Sequence, residues 1–175
     1  MRYILFILLS FFSIQAMGQN CNLLVDRTVG QSGGFIKTTR EEVIYQQTGR
    51  RLKFYLENLD GEYALAVNWY ISPKVLDAKE VFDPKKPLLL TITLANGDKV
   101  SLTVLEPSPG GGTVKLKYAD YMIGGLIPLP LETREKLLAS PIVSITEGLY
   151  GTAPVTLSEI TTPDFFQRML PCIAQ

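Results

Sequence analysis

The sequence has no histidine, one tryptophan, two cysteines and no excess of either charge, with 17 Lys and Arg against 17 Asp and Glu. Each shortage excludes a chemistry. Without histidine there is no Ser-His or Cys-His nucleophile pair, no His-ligated zinc and no imidazole to titrate near neutrality. Two cysteines are too few for a thiolate metal site. Balanced charge excludes the polybasic surface of a nucleic-acid binder and an acidic disordered tail. The apolar run Tyr3–Ile14 is short of the roughly 20 residues a membrane-spanning helix needs. At 175 residues the chain is long enough for one domain with a real core.

The amino terminus reads as an export signal. Met1-Arg2 supplies a positive charge, Tyr3–Ile14 an apolar segment, and Ala16 and Gly18 a small-x-small cleavage site. Cleavage is expected after Gly18. A lipid-modified cysteine normally follows a small residue directly, and Asn20 precedes Cys21, so lipidation is not expected. Removing residues 1–18 leaves 157 residues and, with Arg2 gone, a formal charge of −1. The new first residue, Gln19, can cyclise to pyroglutamate. A signal ending in a small residue with Gln next resembles exported proteins of the Bacteroidota. That resemblance implies a source and an export route, hence a periplasmic or extracellular location, and no activity.

Cys21 and Cys172 lie near opposite ends of the expected mature chain. An even count in an exported protein predicts a disulfide, and within one chain only this pairing is available. Closing so long a loop stabilises the folded state by about 5 kcal/mol at most.

The body, residues 19–175, reads as a single β-rich domain. Its expected class is mainly β (α+β): an antiparallel sheet or sandwich of about 7–9 strands, with two short helices in the C-terminal third. Leu88–Ala95 and Asp98–Leu105 flank Asn96-Gly97. A three-residue loop, Ala95-Asn96-Gly97, places Ile92 opposite Val100 and Leu90 opposite Leu102, and puts Gly97 where the left-handed conformation is needed. A two-residue turn would mix apolar and polar side chains on one face, so the pattern selects the longer loop. Arg51–Glu57 and Glu62–Ile71 form a second hairpin. With Asn58-Leu59-Asp60-Gly61 as its loop, Leu56 faces Tyr63 and Phe54 faces Leu65. Glu42–Gln47 precedes it through a turn at Thr48-Gly49. Further strands are expected at Thr113–Tyr118 and Ile142–Thr146. Leu131–Ala139 reads as a helix. Another begins at Thr162-Pro163-Asp164, with Thr162 as N-cap, and stops at Pro171.

Catalytic candidates are weak. Gly30-Gln31-Ser32-Gly33-Gly34 matches the Gly-x-Ser-x-Gly nucleophile pattern, but the base it needs is normally His, and only Lys37 is near. A glycine-rich turn explains the same residues. Asn58-Leu59-Asp60-Gly61 looks like part of a calcium loop but lacks the later ligands. The glycines at 110–112 are not followed by Lys-Ser/Thr, so they read as a connector and not a phosphate cradle. Glu132/Glu135 and Asp120/Tyr121 are the places to look for a hydrolase carboxylate pair, and solvated surface explains both. No cofactor or metal is expected.

Binding candidates are Tyr55, Asn68 and Tyr70. They fall on the faces opposite their strands' apolar stripes and, with Ala64 and Ala66, would make a flat surface for a protein or a glycan. A competing expectation is that the two helices cover this face and bury the tyrosines. The function expected is therefore an exported, non-enzymatic binding or envelope-associated structural domain. One alternative is a barrel-type small-ligand carrier: about eight antiparallel strands, a C-terminal helix and a terminal disulfide resemble the lipocalin-like calycins in outline, although their early Gly-x-Trp signature is absent and Trp69 stands mid-chain. A further alternative is a His-free hydrolase. Intact mass spectrometry of the exported protein, reduced and unreduced, is expected to show a chain starting at pyroglutamate from Gln19 and two hydrogens fewer before reduction. A mass that retains residues 1–18 contradicts the export reading.

Overall fold

The computed structural model describes residues 21, 23–29, 33–72, 87–104, 114–117, 120–148 and 153–174. The expected signal segment and Ser32 lie outside them. So do most of the connectors at 83–87 and 107–112. The expected class holds: two antiparallel sheets carry most of the chain, with two short helices late in the sequence.

The larger sheet contains β1 (Leu23–Val29), β2 (Gly34–Thr39), β3 (Glu42–Gln47), β4 (Arg50–Leu59), β5 (Glu62–Ile71), β8 (Val114–Lys117) and β9 (Asp120–Pro128), in the order β1-β2-β4-β5-β9-β8 with β3 also on β4. The smaller sheet runs β11 (Val155–Leu157), β10 (Ile142–Gly148), β6 (Leu88–Leu94), β7 (Lys99–Val104). Strands β2 and β3 are two pieces of one bent ribbon, because both pair with β4. At the bend, the Leu56 N–H donates to Thr39 Oγ1 at 2.9 Å, so a hydroxyl replaces the missing ladder carbonyl.

The β6–β7 register is the expected one, with Ile92 opposite Val100 and Leu90 opposite Leu102. Gly97 sits at φ +91°. The β4–β5 register differs from expectation by two residues. Leu56 faces Leu65, Phe54 faces Val67, and the loop is only Asp60-Gly61. Both loop residues have positive φ, +53° and +94°, the two-residue turn whose twist matches that of the strands. The Gly61 N–H donates to Asn58 Oδ1 at 2.9 Å, and Asn58 Nδ2 donates to the Ile173 carbonyl at 2.7 Å. Asn58 therefore serves the turn and a helix, and the calcium-loop likeness has no further content.

The first helix, α1, spans Leu131–Ala139 as expected. The second, α2, spans Phe165–Ile173 and differs from expectation at both ends. Thr162 is not its cap; its hydroxyl donates to the Val43 carbonyl at 2.8 Å. Pro171 does not end it, since the Ala174 N–H still reaches the Leu170 carbonyl. The last turn is held from outside, by Asn58 on Ile173 and by the disulfide on Cys172. That Cys21–Cys172 bond is present, with Cα atoms 5.4 Å apart.

Alternate residues of β4 and β5 are buried: Leu52, Phe54 and Leu56 on one, Leu65, Val67 and Trp69 on the other. They share one core with Leu90, Ile92 and Ile145 of the smaller sheet and with Phe165 and Phe166 of α2. Phe54, Phe165 and Phe166 form an aromatic cluster with ring centroids 5.1–6.1 Å apart. Among the described residues no ladder joins the two sheets.

Among the described residues one ion pair reaches into this core. The Glu147 carboxylate on β10, 1% exposed, accepts from Trp69 Nε1 on β5 at 2.7 Å and from the Arg50 guanidinium on β4. It thus ties the smaller sheet to two strands of the larger one. Burial pushes its pKa above the ordinary carboxylate range, against the opposing pull of Arg50 and Trp69. Glu147→Ala strands a buried guanidinium and a buried indole N–H, and should cost about 3–5 kcal/mol in urea unfolding. Because the folded pKa is raised, Glu147's own contribution is fullest below the ordinary carboxylate range and falls as pH rises through the folded value. Glu147→Gln should flatten that part of the stability–pH curve. An unchanged curve contradicts the assignment.

Candidate functional site

Inner-face burial on β4, β5 and β9 leaves a second set of side chains pointing away from the core. Across the strands these are Arg51 beside Tyr70 and Met122, Lys53 beside Asn68 and Gly124, Tyr55 beside Ala66 and Leu126, and Glu57 beside Ala64 and Pro128. The three binding candidates therefore share one face. Tyr55, Asn68 and Tyr70 are all half-buried. Both helices pack on the opposite face: α2 through Phe165 and Phe166 on Phe54, and α1 through buried Leu137 and through Gln167 of α2, whose Nε2 donates to the Leu137 carbonyl at 2.6 Å. The expectation that the helices bury the tyrosines is thus corrected. The core needed the helices to close the inner side around Phe54.

At one end of the face a polar cluster fixes the candidates. Glu41, at the bend between β2 and β3, accepts from Asn68 Nδ2 at 2.7 Å and from Lys53 Nζ at 2.6 Å. Lys53 Nζ stands 5.1 Å from the Tyr70 ring centroid, and the Arg51 guanidinium 5.7 Å from it, within cation–π range. Asn68 lies flat over Gly124; a Cβ there would stand 2.9 Å from Asn68 Oδ1. Further along, burial and then the Glu57 and Glu41 charges push the Tyr55 hydroxyl pKa upward, so Tyr55 stays a neutral donor.

At the other end the face runs into a cleft of about 700 Å³, a volume typical of ligand sites. Ala64, Leu126, Pro128 and Leu129 supply apolar wall. Arg134, on α1, lays its guanidinium 3.8 Å from the Tyr63 ring centroid, and its Nε is buried without a hydrogen-bond partner. Glu57 lines the same cleft, and burial alone raises its pKa. Nothing in the sequence pattern marked this cleft. Tyr63 on β5 and Arg134 on α1 are 71 positions apart in the sequence, and the Pro128–Pro130 segment that leads from β9 into α1 carries no binding motif.

The remaining candidates stay separate. Glu132 pairs with Lys136 on the exposed side of α1 at 2.7 Å, which lowers the Glu132 pKa, and Glu135 is exposed. The Asp120 and Tyr121 side chains lie outside the described residues. Lys37 stands opposite Asp26 on β1. Among the described residues no group of three or more Cys, Asp or Glu could hold a metal ion, and no helix is long and apolar enough to cross a membrane.

No family model, no curated protein and no solved structure matches this chain.

The contact between Gly124 and Asn68 gives a direct check. Gly124→Ala should push the Asn68 amide off Glu41 and lower stability by up to about 1 kcal/mol. The same change in an Asn68→Ala background should cost measurably less. Equal losses in both backgrounds contradict the proposed seating.

Proposed function

We propose that this chain is an exported, non-enzymatic binding domain that receives a polypeptide segment on the outer face of the β4–β5–β9 sheet. The observation that carries this reading is that, among the described residues, the helices pack on the inner side, α2 against Phe54, while Tyr55, Asn68 and Tyr70 stay half-exposed on the outer one. That outer face presents them in fixed positions, with Leu126 41% exposed. Rigid aromatics beside an amide and apolar side chains are the composition that interface anchors favour. The Cys21–Cys172 bond is compatible with an oxidising compartment, and the sequence features of residues 1–18 supply the route.

A glycan ligand is the second reading, favoured by the pairing of Tyr70 with the Asn68 amide on one flat surface. The barrel-carrier alternative needs an enclosed apolar cavity. Trp69, Phe54, Phe165 and Phe166 are all fully buried in the core that both sheets share, which favours a binding face over a central cavity.

Arrays of immobilised polypeptides and glycans, probed with the exported protein, test the proposal. Polypeptide hits are expected, weakened at least about tenfold in a Tyr55→Ala/Tyr70→Ala variant that keeps its circular dichroism, as loss of interface anchors does. A Glu132→Gln variant on α1 should bind like the parent. Hits confined to glycans select the second reading. Equal binding by the double variant contradicts both.

A further inference from the structure

The cleft is lined by one guanidinium, Arg134, and two carboxylates, Glu57 and Glu62, and Arg134 pairs with neither. Arg134 is held by stacking on Tyr63, has no carboxylate partner among the described residues, and leaves its buried Nε without an acceptor. Glu57 has no cation partner among the described residues; of its environment only burial shifts its titration. A guanidinium and a carboxylate close enough to meet would pair, as Arg168 does with Glu42 at 2.6 Å elsewhere in this chain. Here both charges are half-withdrawn from water and face the same apolar walls of Ala64, Leu126, Pro128 and Leu129. Water reaches both groups only in part, so a ligand that pairs with them replaces an incomplete hydration shell.

A ligand that completes both must carry an anion at one end, a cation at the other and an apolar body between. We propose that the cleft binds a short apolar peptide with both termini free, its carboxylate on Arg134 and its ammonium on Glu57. Glu62, also on the cleft wall, adds a second carboxylate to the site. The planar guanidinium, fixed against Tyr63, offers the paired N–H donors that match a carboxylate. The apolar walls accept the side chains, and a cleft of about 700 Å³ has room for a few residues. This assignment rests on the reading of the chain as a binding domain, and narrows the ligand at one end of the same face.

The test is a two-dimensional NMR titration of the full exported chain with a tripeptide of alanine, leucine and leucine, alongside its N-acetylated and C-amidated forms. The free tripeptide should shift the amide signals of Ala64, Leu126 and Leu129. Blocking either terminus should weaken binding about tenfold or more, the worth of one charge-assisted hydrogen bond. Glu57→Gln should remove the penalty for N-acetylation, and Arg134→Gln the penalty for amidation. Because the blocked peptides need no variant, the test survives if Arg134→Gln fails to fold. Equal binding of free and blocked forms overturns the terminus assignment. Shifts at Tyr55 and Tyr70 with longer polypeptides, and none with tripeptides, overturn it while leaving the binding-domain reading intact. No shift with any peptide overturns both.

Discussion

Strands β4 and β5 have two faces, and this sequence assigns one of them wholly to the interior. Every second residue from Leu52 to Leu56 and from Leu65 to Trp69 is buried without residual exposure. Against that face stand the smaller sheet and α2, with α1 packed beside them, so the apolar surfaces of the later elements are spent on a single side. The disulfide, the Asn58 contact to Ile173 and the Arg168–Glu42 pair all pull α2 to that side as well. Among the described residues the opposite face keeps its tyrosines, its amide and its charges, and α1 reaches it only at the cleft, through Arg134.

Glu147 is the costly member of this arrangement. A carboxylate in a core of leucine, isoleucine and phenylalanine is tolerated only with its partners in place, and those partners sit on the other sheet. Such groups contribute less to net stability than to the uniqueness of one packing. Here the requirement that Trp69 and Arg50 both reach one carboxylate fixes how β10 lies over β4 and β5. A slip of one residue in β10 would turn Glu147 outward and leave two buried donors without an acceptor.

Much of this fold is legible in the sequence, for reasons that also explain the gaps. The β6–β7 hairpin reads correctly because a one-residue error would mix Ile92 and Leu90 with Lys99 and Ser101, and alternation detects that. In the β4–β5 hairpin the error was two residues, which leaves every side chain on its proper face, so alternation is blind to it. The two-residue turn is set by Asp60-Gly61, both at positive φ, a signal that alternation does not carry. Strand β9 was hidden by Gly124-Gly125 and by Pro128 at its end, residues that weaken any strand signal. Pro171 reads as a stop, yet an external disulfide and a side-chain hydrogen bond carry the helix past it. Strand parity alone places Tyr55, Asn68 and Tyr70 on one face. The cleft escaped because Tyr63, Glu57 and Arg134 meet only after β9 and α1 have been placed.

Among the described residues the inner face of β4, β5 and β9 is sealed, while the tyrosines of the outer face stay half-exposed. Hydroxyl-radical footprinting of the exported protein measures this residue by residue. Tyr55, Tyr70, Met122 and Leu126 should be oxidised readily, with Trp69, Phe54 and Phe166 protected until the protein unfolds. Protection of Tyr55 and Tyr70 equal to that of Trp69 would mean that the face is covered, and would contradict the account at its base.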